Sequence, residues 1–290
     1  GWKAIFAAQV PLSMVALFLV LRVLPVDRAH GGGQGLDPVG TLVLAGTLGA
    51  YALAMTLGHF GALNLLCLGL AGLGLGLFVG VERRVAAPLV ALALFQDRAR
   101  RTGLALSALV SAVLMATLVV GPFYLSRGLG LGAGTVGLVM SAGPLAAALS
   151  GLPAGKLVDR LGSATTTGAG LVGIGGSALL LALCPHSFGV PGYVLPMVAL
   201  TASYALFQAA NNTGVMREVP AAQQGLVSGL LTLSRNLGLI PGASALGAVF
   251  TMASGGGDVA LAEPAAVAAG MRSTFGVAAG LVLLALGLLR

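Results

Sequence analysis

The sequence predicts an all-α integral membrane protein with about nine transmembrane helices, and three observations lead there. Hydrophobic residues fill 57% of the 290 positions and charged residues only 8%, against about 25% charge in a soluble domain, so there is too little charge to make a water-soluble surface. Apolar runs repeatedly reach the roughly 20 residues needed to cross about 30 Å of hydrocarbon. These runs are continuous and do not alternate, which favours helices over barrel strands, because in lipid a helix pairs every backbone polar group within its own segment.

Taken in order, the candidate spans run from Ala4 to Leu24, Val39 to Gly58, Ala62 to Val81, Gly103 to Tyr124, Gly134 to Leu152, Ala164 to Cys184, Gly192 to Asn211, Gly225 to Met252 and Met271 to Leu289. The first follows directly on Gly1-Trp2-Lys3, and the glycine run at 31–35 reads as a linker to the second, since it lacks the Lys-Ser/Thr of a phosphate loop. In the third, Gly72, Gly76 and Gly80 make a GxxxGxxxG ridge of the kind that lets helices approach in lipid, and Ala169 with Gly173 is a similar small pair in the sixth. Pro122, Pro144, Pro196 and Pro241 fall within or near the ends of spans, where kinks are tolerated when neighbours satisfy the freed carbonyls. The outer loop from Ala253 to Gly270 carries Asp258, Glu263 and a flexible Ser-Gly-Gly-Gly stretch.

Loop charge tests the span count independently, because Lys and Arg of short loops concentrate on the cytoplasmic side. If the spans alternate, one side receives Arg22, Arg28, Arg83, Arg84, Arg98, Arg100, Arg101, Lys156, Arg160, Arg217 and Arg290, and the other only Lys3, Arg127 and Arg272. The expected placement is therefore a multi-pass protein of the cell (inner) membrane, with its N-terminus outside and its C-terminus in the cytoplasm. The net charge of +7 then reads as membrane orientation, not as nucleic-acid binding, which would cluster bases on one aqueous face. An external start without initiator Met or cleavable signal suggests a fragment whose earlier helices are missing.

Several patterns carry no chemistry. Gly168 to Gly173 matches GxGxxG but lies inside an apolar run, without the strand, turn and downstream acid of a dinucleotide site. Cys67 and Cys184 sit in or at the end of apolar runs and read as reduced packing residues. His30, His59 and His186 are scattered over different loops, which disfavours a membrane enzyme. No cofactor and no metal site are expected.

Polar side chains within spans usually face a bundle interior or a water-filled path. Thr201, Tyr204, Gln208 and Asn211 or Asn212 recur at three to four positions on the seventh span, and Ser228, Thr232 and Arg235 do so on the eighth. These stripes are candidates for the wall of a substrate cavity; the alternative is helix-to-helix hydrogen bonding. Arg235 is the base deepest within a span. It either binds a carboxylate or gates the helix, or it snorkels to the surface. The eight acidic residues read as loop or helix-end positions, so a proton-coupling carboxylate has no candidate.

The segment Gly151 to Gly162, with Gly155, Asp159, Arg160 and Gly162, resembles the G-x-L-x-D-R-x-G loop of the major facilitator superfamily in its C-terminal-half copy. Ser163 and Ala164 depart from the basic residues the family often has there. Gly1-Trp2-Lys3-Ala4-Ile5-Phe6 with Val10-Pro11, then Leu36-Asp37-Pro38-Val39-Gly40, Pro122-Phe123-Tyr124-Leu125, Gly137 to Pro144, and Gly225 to Gly238 are similar, in order, to the fourteen-span multidrug:proton antiporter branch. The resemblance implies that 1–25 is the last helix of an N-terminal bundle, 38–81 two extra linking helices, 82–102 a basic cytoplasmic loop, and 103–290 a six-helix bundle of two inverted repeats. It also implies a loop that latches one conformation through charge and helix-dipole contacts, and adds Tyr124 to the cavity candidates. The implied activity is proton-coupled efflux of drugs or amphipathic small molecules by alternating access, and the runner-up is a specific metabolite exporter or importer. Partners would be the lipid bilayer, a small-molecule substrate, protons and the missing N-terminal half, with no nucleic acid.

Overall fold

Nine apolar runs become nine helices long and apolar enough to cross a membrane among the residues that the computed structural model describes, 2–23, 37–57, 61–85, 89–90 and 92–289. They are α1 (Trp2–Val23), α2 (Pro38–Thr56), α3 (Ala62–Glu82), α4 (Arg98–Phe123), α5 (Ala133–Leu161), α6 (Ser163–Leu183), α7 (Gly189–Met216), α8 (Ala221–Ala253) and α9 (Pro264–Leu289). The glycine run at 31–35, and Asp27, Arg28, His30, His59 and Arg290, lie outside the described residues.

Local chemistry places the starts and stops. Asp37 caps α2 by accepting from the Gly40 N–H (2.9 Å), with Pro38 at the first helical position, where its missing N–H costs nothing. Asp97 caps α4 through the Ala99 N–H (2.9 Å). After Pro122 the helix widens into a π turn, Tyr124–Gly128, where the Ser126 hydroxyl donates to the Pro122 carbonyl (2.7 Å).

The helices outrun the hydrophobic spans, and α5 does so most. Expected to stop at Leu152, it continues to Leu161 through Pro153. The residues from Ala154 to Leu161 are mostly good helix formers, and Ala154 and Val158, four apart, are buried and hold this end against the protein. Gly155, Asp159 and Arg160 are thus helical and not in a loop, which leaves Gly162 as the break. Its φ of +82° and ψ of 159° suit glycine alone. The described ion pairs do not include Asp159 with Arg160, and both side chains are exposed.

The chain divides into two units, Gly1–Leu36 and Asp37–Arg290. In the first, α1 has every described side chain exposed, and Arg22 lies over the Phe18 ring at 5.3 Å. In the second, α4 packs against α7, α8 and α9, α6 against α7 and α9, and α5 against α7. The main core takes Leu106, Val110, Val113 and Val120 from α4, Leu171 and Ile174 from α6, Leu200 and Phe207 from α7, and Phe275 and Val282 from α9, at the three-to-four spacing of one helix face. Outward positions such as Leu138, Leu149, Leu183, Leu195 and Leu283 are exposed, as a lipid-facing surface requires.

The α2–α3 hairpin meets the bundle in two places. A second core joins Phe78 of α3, Val90 and Leu94 of the connecting segment, Leu104 of α4, Val215 of α7 and Val227 of α8. Farther along α2, the Tyr51 hydroxyl donates to the Leu237 carbonyl (3.1 Å), and the Ser244 hydroxyl of α8 donates to the Met55 carbonyl.

Close helix approach uses other small residues than the ridge on α3. A Cβ at Gly72, Gly76 or Gly80 would meet nothing within 4 Å, so that ridge makes no helix contact among the described residues. Its neighbour Gly74 packs onto Thr47 of α2 instead. On α6, Gly170 lies against the Phe207 backbone, where a Cβ would come to 2.8 Å, and Gly173 lies against Ser203, while Ala169 is exposed. Gly170 and Gly173 of the GxGxxG pattern therefore pack against α7, and Gly168 faces Leu289 of α9. The tightest seam pairs Gly238 and Gly242 of α8 with the Ala108 and Ala112 backbone of α4.

Candidate functional site: a cleft between three helices

The polar stripe of α7 splits by direction. Thr201 and Tyr204 turn into a cleft of about 190 Å³. The rest of its lining is Leu114, Thr117 and Leu118 from α4, Met140, Gly143, Pro144 and Ala147 from α5, and Met197 from α7. The Thr201 hydroxyl is spent on the Met197 carbonyl one turn back (2.9 Å), and that of Thr117 on the Leu114 carbonyl (2.7 Å). Tyr204 is half-buried, and its hydroxyl makes no hydrogen bond among the described residues. The cleft thus offers methyl, thioether and proline surface with one free hydroxyl. That chemistry suits amphipathic molecules of varied shape, since thioethers and ring faces repack around what they touch.

Asn211, one turn beyond Gln208, is used differently. It is buried, and its amide donates to the Gly103 carbonyl (3.0 Å) and the Ser107 hydroxyl (2.9 Å), both on α4. This is the helix-to-helix alternative raised by the sequence, and the side chain is turned away from the cleft because α4 crosses α7 here. Asn211→Ala is expected to lower stability by about 1–3 kcal/mol by leaving these partners unpaired, with the substrate KM unchanged, as thermal unfolding and transport assays would read. Gln208 and Asn212 are half-buried and outside the cleft lining.

Tyr124 also leaves the wall. Only 2% exposed, it sits in the π turn with its ring 5.7 Å from that of Tyr193, beneath Gly128, where a Cβ would come to 2.9 Å from it. The π turn rotates it inward, which the Pro-Phe-Tyr-Leu motif does not reveal.

The α8 stripe flanks the buried face of Val227, Leu230 and Leu231. Ser228 and Thr232 are exposed, the latter donating to the Ser228 carbonyl (3.1 Å). Arg235 is half-buried and makes no ion pair or hydrogen bond among the described residues. The sequence reading missed the apolar half of the cleft, namely Met140, Pro144 and Met197. Methionine and proline within an apolar span carry no polar signal that sets a cleft apart from lipid-facing surface.

The chain is similar in sequence to known transporters. The chain is 28% identical over 249 residues to the uncharacterized transporter YebQ of Escherichia coli (strain K12), covering 84% of this chain and 54% of that protein. It is 26% identical over 253 residues to the multidrug efflux pump LfrA of Mycolicibacterium smegmatis, covering 86% and 50%. It is 26% identical over 255 residues to the riboflavin transporter RibZ of Clostridioides difficile, covering 86% and 54%. The chain spans about half the length of the curated relatives it matches. The family model described as Major Facilitator Superfamily matches residues 1–243, well over half of the chain, and the chain belongs to the Major Facilitator Superfamily.

Proposed function

We propose that the protein performs secondary active efflux of amphipathic small molecules in exchange for protons, by alternating access. The observation that carries this is the cleft between α4, α5 and α7, apolar and adaptable apart from the Tyr204 hydroxyl. At about 190 Å³ it is smaller than the 300–1,000 Å³ that encloses a drug-sized ligand, so it acts as half of a site. We assign the other half to a second helical bundle, within the length that the relatives carry beyond the matched part. Residues 38–81 then link the two bundles, and 103–290 form the bundle described here. In this reading Ser228, Thr232 and Arg235 face the partner bundle, and the α5 end carrying Asp159 and Arg160 latches against it.

Everted membrane vesicles test the activity. Acidifying the lumen is expected to drive uptake of an amphipathic fluorescent cation, and collapsing the pH gradient to release it. Uptake indifferent to the gradient would remove proton coupling. Tyr204→Phe is expected to weaken apparent affinity for hydroxyl-accepting substrates by about fivefold, the worth of one hydrogen bond, at unchanged expression. The likeness to a riboflavin transporter favours a second reading, transport of one specific metabolite, and a panel of unrelated substrates separates the two.

Orientation follows the loop charges, with the 83–101 segment in the cytoplasm and Asp258 outside. Cysteines placed at Arg84 and Asp258, both exposed, are expected to react with an impermeant maleimide from opposite sides. Labelling from one side would overturn the alternation of spans.

A further inference from the structure

Two of the acids that the sequence reading set aside as helix ends are buried side by side. Asp37, the cap of α2, is 7% exposed, and Glu82, the last residue of α3, is 4% exposed. One oxygen of each is satisfied: Asp37 Oδ1 accepts from the Gly40 N–H (2.9 Å) and Glu82 Oε2 from the Val90 N–H (3.2 Å). The other oxygens, Asp37 Oδ2 and Glu82 Oε1, are buried with no hydrogen-bond partner among the described residues. Both face the bare α-carbon of Gly40. A Cβ there would collide with Asp37 Oδ2 and lie 3.0 Å from Glu82 Oε1, so one ion can touch both. The Asp-x-x-Gly pattern thereby gains a physical meaning: the acid caps the helix, and the glycine keeps room for whatever bridges the two carboxylates.

Buried carboxylates are costly unless a positive charge or donor meets them, and among the described residues no ion pair reaches Asp37 or Glu82 and no donor reaches these two oxygens. Arg83 and Arg84, next on the chain, are exposed. On α4, Arg100 pairs with Asp97 (3.6 Å) and donates to the Leu94 carbonyl (3.3 Å). Arg235 of α8, which also packs against α2, makes no ion pair among the described residues, and neither described ion pair includes Asp37 or Glu82. A divalent metal favours six or more oxygen ligands, and no group of three acidic, His or Cys side chains forms among the described residues.

We propose that Asp37 and Glu82 bind one small monovalent cation, H⁺ or Na⁺, at the end of the α2–α3 hairpin. Occupancy ties the start of α2 to the end of α3 and, through Val90, to the segment that leads into α4. A role for this ion in coupling rests on the antiport reading above; the binding itself does not.

The test uses the purified full-length protein in detergent, with ²²Na⁺ and protons as probes. Saturable ²²Na⁺ binding at pH 8 that falls at least tenfold in Asp37→Asn and in Glu82→Gln identifies Na⁺. Absence of ²²Na⁺ binding, together with an uptake between pH 8.5 and 5.5 that is one proton per protein smaller in the double variant, identifies H⁺. Both amides keep an acceptor for the Gly40 and Val90 N–H groups, and monodisperse elution checks that the variants fold. No ²²Na⁺ binding and equal proton uptake by the wild type and the double variant would overturn the site. Binding without gradient-driven transport would sink the antiport reading alone, and gradient-driven transport without binding would sink the site alone.

Discussion

Gly238→Leu is expected to destabilise the bundle strongly. At this crossing the α8 backbone rests on the α4 backbone: a Cβ on Gly238 would collide with the Ala108 carbonyl, and one on Gly242 would lie 2.5 Å from the Ala112 α-carbon. Backbone cannot move aside as a side chain tip does, so the two helices would have to separate along a seam shared with the main core. The cost is about 3 kcal/mol or more, at the top of the range for overpacking. Against a total stability of about 5–15 kcal/mol, that is a fifth or more of the margin that holds the fold. Size-exclusion profiles and thermal midpoints of a fluorescent fusion would show the loss. The matched control is Gly76→Leu, the same chemistry on α3 where nothing lies within 4 Å of the added carbon; its effect is expected within about 0.5 kcal/mol. Equal behaviour of the two variants would mean that the α4–α8 seam is not as close as described.

Arg235→Ala is expected to lower efflux by the full-length protein about 10- to 100-fold while leaving membrane insertion nearly unchanged. Arg235 lies about four turns inside α8, roughly 21 Å along the axis from Ala221, near the middle of a 33-residue helix. Half-buried and without an ion pair among the described residues, the guanidinium has its donors available to a carboxylate on the substrate or the facing bundle. A charged hydrogen bond is worth about 1.5–3 kcal/mol, which sets the expected fold-change. Arg235→Lys should restore only part, since a point charge does not reproduce a planar fork. Normal efflux by both variants would return Arg235 to a snorkelling role at the membrane surface.

Which polar residues serve a site was only partly legible. Thr201 and Tyr204 do line a cleft, but Asn211, on the same stripe, bonds to α4. A face of a helix is readable from spacing, yet its neighbours are not: one side of α7 meets α4 at one level and opens between α4 and α5 at another. The glycines show the same limit. The α3 ridge with the most regular spacing touches nothing, whereas the Gly238–Gly242 pair, with the same four-residue interval, carries the tightest contact. Both satisfy the small-residue pattern, and only the position of a second backbone tells them apart.

The sequence by itself determined the number of helices, their order and the family. Hydrocarbon thickness sets span length, and the absence of water forces each span to pair its own backbone, so composition along the chain is enough for the helices, while the family showed in motifs and their order. The tertiary structure alone decided that α5 carries Asp159 and Arg160 in helix, that Tyr124 turns inward, and that Asp37 and Glu82 meet across Gly40. Each of these depends on residues far apart in the chain or on a helix end beyond the hydrocarbon, where the bilayer no longer dictates the local conformation and packing does.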